Sequence, residues 1–156
     1  MKITVETTVR APLADVWSAW NNPADIKQWN SAQDDWHTTS SSVDLREGGK
    51  FHARMEAKDG STGFDFEGTY TRVAPKQLIE YRMSDGREVR VEFADRAGAV
   101  AVKETFDAES ENTPELQRNG WQAILDNFRR HVEAALPRGQ QLHQKPEPGN
   151  RTTNAR

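Results

Sequence analysis

The chain contains no cysteine among its 156 residues. That absence removes disulfide cross-links, thiol nucleophiles and cysteine-based metal sites together, so the fold has to rest on an ordinary apolar core. Long hydrophobic runs are missing too. No apolar stretch approaches the ~18 residues a membrane span requires, and the opening Met1-Lys-Ile-Thr-Val-Glu6 lacks the apolar centre of a signal peptide. A soluble cytoplasmic protein is the expectation. The histidines, His37, His52, His131 and His143, are scattered without a His-x-x-x-His spacing, so no metal site is expected. Gly48-Gly49 leads into a strand-like segment, unlike a phosphate loop, which runs from strand to helix, and there is no Gly-x-Ser-x-Gly elbow. No cofactor is expected, and covalent catalysis has no support.

Hydrophobic residues make up only 35% of the chain. The last twenty positions explain part of this. PRGQQLHQKPEPGNRTTNAR, residues 137–156, has Leu142 as its only large aliphatic side chain and cannot offset its ordering entropy, so a polar disordered tail is expected there. Residues 1–136 then form one domain, with 17 basic against 23 acidic residues and a net charge of −6 in place of −3. An acidic body argues against nucleic acid as a partner.

Ile3, Val5, Thr7 and Val9 alternate with polar residues, the period of a half-buried strand that ends at Ala11-Pro12. Leu13, Val16, Trp17 and Trp20 mark a short amphipathic helix, and Asn22-Pro23 opens a second carrying Ile26 and Trp29. Residues 30–42, polar apart from Trp36, are too long for a tight turn and read as a candidate binding loop. Strand-like segments follow over 43–46, 51–57, 64–73, 77–83, 87–94 and 99–106, separated by short turns such as Lys58-Asp59-Gly60. Connections this short exclude parallel crossovers, so the sheet is an antiparallel meander.

Thr113 to Leu136 closes the domain as a long amphipathic helix. Thr113 suits the N-cap, Pro114 the first turn, and Glu115 the positive end of the dipole. Trp121, Ile124, Leu125, Phe128, Val132, Ala135 and Leu136 form an apolar stripe, while Gln117, Arg118, Gln122, Asp126, Arg129, Arg130 and Glu133 take the other side. Gly120 is anomalous, costing roughly 1 kcal/mol relative to Ala inside a helix; it points to a close backbone approach or to space beside Trp121. A curved sheet wrapped around this helix buries both apolar surfaces, and their unequal curvature leaves room for a ligand.

The run Thr4 to Trp17, Trp29, Asp34-Asp-Trp-His37, Asp44-Leu-Arg-Glu-Gly-Gly49, Gly63-Phe-Asp-Phe-Glu-Gly-Thr-Tyr70 and Gly120 to Phe128 resembles the bacterial START-like superfamily often labelled SRPBCC. Within it, the pattern is most similar to the branch named for the C-terminal domain of the activator of the heat-shock-protein-90 ATPase. The resemblance spans residues 3–136 and omits the tail. It implies an α+β helix-grip fold and a family in which hydrophobic small molecules are bound, some members act as polyketide cyclases or aromatases, and many have no assigned role.

Glu104 shares the inward face of its strand with Val100, Val102 and Phe106 and is the best acid–base candidate, unless a bulge near Phe106 or an Arg or Lys partner relieves it. His37, in the polar loop, could titrate at a cavity mouth. Glu67, His52 and Arg54 read as solvated strand positions, and His131 and His143 as a helix exterior and a tail. Trp36, Phe51, Phe66, Tyr81, Trp121 and Phe128, together with His37 and Glu104, are the candidate ligand-binding residues; Trp17, Trp20 and Trp29 read as core. Three functions follow: binding of a small hydrophobic molecule, lipid or aromatic and polyketide-like; a cyclase- or hydrolase-type enzyme using Glu104 or His37; and, from the family resemblance alone, a module with a chaperone partner.

Overall fold

A computed structural model describes residues 1–136. The segment 137–156, expected to be a disordered tail, lies outside the described residues. Strand β1 (Lys2–Val9) is followed by helices α1 (Leu13–Asn21) and α2 (Pro23–Trp29), then strands β2 (Trp36–Val43), β3 (Lys50–Ala57), β4 (Gly63–Ala74), β5 (Leu78–Met83), β6 (Glu88–Asp95) and β7 (Val100–Asp107), and helix α3 (Pro114–Ala135). The seven strands form one antiparallel sheet in the order β1-β7-β6-β5-β4-β3-β2. Consecutive hairpins carry the chain from β2 to β7, and β1 closes on the far side of β7. The sheet curls around α3 as a half-barrel, which is the helix-grip arrangement.

Local signals explain most boundaries. Asn22 ends α1 and caps α2 by accepting from the Ala24 amide at 2.9 Å, and Pro23 occupies the first turn. Thr113 caps α3, its hydroxyl accepting from the Leu116 amide at 3.1 Å. The stripe of α3 then buries Leu125, Phe128 and Val132 against the sheet and the short helices. There, Trp20, Trp29 and Phe128 form a triangle with ring centroids 4.9 to 5.0 Å apart, and the Trp29 indole donates to the Ala19 carbonyl at 3.0 Å. Aromatic side chains with a satisfied polar end thus join α1, α2 and α3.

Four expectations change. The loop at 30–42 is shorter, because residues from Trp36 onward form edge strand β2. Only Thr38 on that strand is fully buried, so the sequence shows no apolar alternation. Of the strand expected at 43–46 only Val43 is extended, as the end of β2, and the following residues form a turn in which the Gly49 amide donates to the Arg46 carbonyl at 2.8 Å. Gln117, expected on the solvent face of α3, is buried: its amide donates to the Glu109 and Asn112 carbonyls and its carbonyl accepts from the Glu109 amide. It satisfies the backbone of the loop that leads into the helix. His131, expected to be idle, lies 2.9 Å from Asp25 and ties α3 to α2.

Gly120 has no close backbone neighbour. A Cβ built there meets nothing within 4 Å, which leaves open space as the remaining account. Gly120→Ala is therefore expected to stabilise the protein by roughly 0.5–1 kcal/mol through helix propensity alone. Urea unfolding checks it, with the midpoint moving up at unchanged slope.

Candidate ligand-binding site

Between the sheet and the N-terminal half of α3 lies a partly open cavity of about 270 Å³. Its sheet wall is built by alternation. Phe51, Ala53 and Met55 of β3 point inward together, Phe66 and Tyr70 come from β4, and Ile79 and Tyr81 from β5. The helix contributes Trp121 and Ile124, and Trp20, Ile26 and Trp29 close one end. The lining is mostly apolar.

Four rings give the cavity its shape. Phe51 meets Tyr81 edge-on at 4.7 Å and Phe66 at 5.6 Å, and Phe66 stands 6.3 Å from Trp121. Trp121 is itself stacked on Phe106 of β7, with centroids 3.9 Å apart and planes within 10°. That stack fixes one face of the indole against the sheet. Opposite, Gly68 makes the position of Phe51 possible: it pairs with Phe51 across β3 and β4, and a Cβ there would sit 2.9 Å from the Phe51 ring and 2.6 Å from the Arg82 carbonyl. No larger residue leaves the ring where it is.

Glu104 supplies the chemistry. It stands on β7 between Val5 of β1 and Val91 of β6, in unbroken register, so no bulge turns it outward. Its side chain lines the cavity, is only 6% exposed, and makes no hydrogen bond or ion pair among the described residues. Burial pushes its carboxyl up to about 8. The Tyr81 phenol is held well above its ordinary value by burial and, secondarily, by the nearby Glu104 charge, so it stays protonated. Other polar groups at the cavity are engaged elsewhere. Arg87 donates from Nε to Asp85 at 2.8 Å, and Glu109 accepts from the Glu111 and Asn112 amides and from the Asn112 side chain.

Of the residues singled out in the sequence, Phe51, Phe66, Tyr81, Glu104 and Trp121 meet in this cavity. Three lie elsewhere. Trp36 sits on β2 with its ring 5.8 Å from that of Phe64, His37 is paired with Glu56 on the same strand, and Phe128 is buried in the triangle with Trp20 and Trp29. Arg87, Glu109, Gln117, Ala53 and Ile79 line the cavity without having been anticipated. For Ala53 and Ile79 the inward alternation of β3 and β5 was the available signal. Arg87 and Gln117 carry none, since both sit in otherwise polar stretches. Among the described residues no group of three or more His, Asp or Glu side chains is gathered as for a metal ion, and no helix is long and apolar enough to cross a membrane.

The family model described as Activator of Hsp90 ATPase homolog 1-like protein matches residues 10–133. The solution structure of an AHSA1-like protein from Aeromonas hydrophila is 52% identical, with a TM-score of 0.83 over 94% of this chain and 100% of that one. A protein from Cytophaga hutchinsonii is 43% identical, with a TM-score of 0.77 over 94% of this chain and 97% of that one. A Nitrosomonas europaea protein shares the fold at 17% identity, with a TM-score of 0.74 over 87% of this chain and 96% of that one. No curated protein matches the sequence.

The buried carboxyl makes stability pH-dependent in a stated direction. Between about 4.5 and about 8 the unfolded chain releases the Glu104 proton while the folded protein keeps it, so this group lowers stability progressively as pH rises through that window. Glu104→Gln removes the effect. In urea unfolding it is expected to exceed the parent protein by about 4 kcal/mol at pH 8 and to converge with it near pH 4.5.

Proposed function

We propose that this chain, which belongs to the Activator of Hsp90 ATPase homolog 1-like family, binds a small, largely apolar molecule in the cavity between its sheet and α3. The START-like fold commonly binds hydrophobic ligands. The observation that carries the proposal here is the cavity itself: a volume of about 270 Å³ enclosed by four aromatic rings and aliphatic side chains. Burial of an aromatic or short acyl body against those rings supplies the driving force. The few polar groups orient it.

An acid–base function for Glu104 draws on the raised carboxyl, which can hold and release a proton near neutral pH. His37 does not line the cavity. With His52, Arg87 and Glu109 of the lining already paired with other groups, binding accounts for more of the geometry than turnover does.

N-phenyl-1-naphthylamine, which is not basic at neutral pH and brightens in apolar surroundings, tests the proposal. It is expected to bind with a Kd on the order of 10–100 µM and to quench Trp121. Ala53→Leu, which extends a buried side chain of β3 into the open volume, should weaken binding at least tenfold while leaving the circular dichroism spectrum unchanged. Equal binding by both proteins would remove the cavity as the site.

A further inference from the structure

Among the described residues, Glu104 is the cavity carboxyl with no hydrogen bond or ion pair, and that group selects a ligand chemistry. We propose that the ligand is an amphiphilic amine, an aromatic or short aliphatic body carrying a protonated nitrogen that pairs with Glu104. The inference rests on the proposal that the cavity is a binding site, and it narrows what can fill it.

Charge decides between the alternatives. A buried carboxylate without a partner is costly, and a buried carboxylate with a hydrogen-bonded cation is not. Among the described residues no strand or helix pairs a cation with Glu104. Across the sheet, Val91 of β6 and Val5 of β1 flank it. From β5 the nearby titratable group is the Tyr81 phenol, which is protonated and offers an oxygen as a second acceptor. From β4 comes the Tyr70 phenol, raised by burial and then by Asp44. At the β5–β6 turn, Arg87 lines the cavity and its charge acts on Tyr81 and Glu109, but it is ion-paired with Asp85 and not with Glu104, and on β3 the His52 ring faces Asp65 at 2.8 Å. Beyond β7, the Glu109 carboxylate adds a second negative group to the lining, and α3 contributes only the amide of Gln117.

A ligand ammonium would therefore meet Glu104 and the Tyr81 oxygen, with the faces of Phe51, Phe66 and Trp121 around its body. Aromatic faces attract cations by their quadrupoles, most strongly when both are desolvated. A carboxylate ligand such as a fatty acid would meet like charge at Glu104 once that group ionises above about pH 8, and gains no ion pair with it at any pH. A neutral alcohol would be accepted, but nothing about it calls for an ionisable residue. Glutamine at this position would serve an alcohol equally well and would not titrate.

The amine must meet an ionised Glu104, which the free protein holds protonated until about pH 8. Affinity for the amine should thus rise about tenfold per pH unit up to that point and then level off. Affinity for a neutral analogue should not follow this course.

Three matched probes separate the possibilities: 4-phenylbutylamine, 4-phenylbutanol and 4-phenylbutyrate, titrated calorimetrically at pH 6, 7 and 8.5 into the full chain and into Glu104→Gln. The expected result is an amine at least tenfold tighter than the alcohol at pH 8.5, a preference that shrinks about tenfold per unit at lower pH, and weak or absent butyrate binding at pH 8.5. Glu104→Gln should lose the amine preference, and its amine affinity should no longer change with pH. Amine and alcohol binding equally at pH 8.5, or a preference that survives in Glu104→Gln, would overturn the proposal while leaving the cavity as a site. If none of the three probes nor N-phenyl-1-naphthylamine binds, the cavity proposal itself fails, and this one fails with it. The pH series on the parent protein stands independently of how the variant folds.

Discussion

The stack of Trp121 on Phe106 sets how closely α3 can lie against the sheet, and the rest of the site depends on that spacing. Beyond the stack, towards its C-terminal end, the helix is in full contact, with Leu125, Phe128 and Val132 buried among the aromatic side chains of α1 and α2. On the other side of the stack the sheet curls away through β5, β4 and β3. The twist of the sheet carries these strands away from the helix, and the Trp121 ring, stacked on Phe106, stands at the junction. One end of the interface is therefore core and the other is cavity, although the same apolar stripe runs through both.

This division explains which parts of the molecule were legible in the sequence. Alternation in β1, β3 and β7 and the three- and four-residue steps of α3 report burial against a neighbouring layer, which is a local property. The caps at Asn22 and Thr113 are equally local. Edge strand β2 has no signature in the sequence because its pairing to β3 is a backbone matter, and its side chains, nearly all partly exposed, leave no periodic trace. Gln117 escaped for a related reason: its burial is dictated by the carbonyls of Glu109 and Asn112, which are near in sequence but oriented by the end of β7. The contact of His131 with Asp25 joins residues 106 apart, and no local pattern encodes it.

The cavity lies between these cases. Its individual walls were legible, since Phe51, Phe66, Tyr81, Glu104 and Trp121 all stand out by type and by phase. Their separation was not. Whether Phe128 or Phe66 lines the open volume depends on which end of α3 touches the sheet. Trp36 shows the converse error, where a large ring in a polar stretch suggested a ligand contact and the ring instead leans on Phe64 across β3.

Glu104 also constrains what an apolar cavity can accept. In a mostly apolar cavity of about 270 Å³, the buried Glu104 carboxyl is the group that an entering ligand has to satisfy. A pure hydrocarbon would gain from the four rings but would leave the carboxyl unsolvated, a penalty of about 1–3 kcal/mol even for a neutral group. The same apolar body with one donor placed at Glu104 escapes the penalty, and a charged donor gains further. Discrimination then arises from a single residue that is costly to the fold when the site is empty, on a strand where Val100, Val102 and Phe106 show how readily an apolar side chain is accommodated.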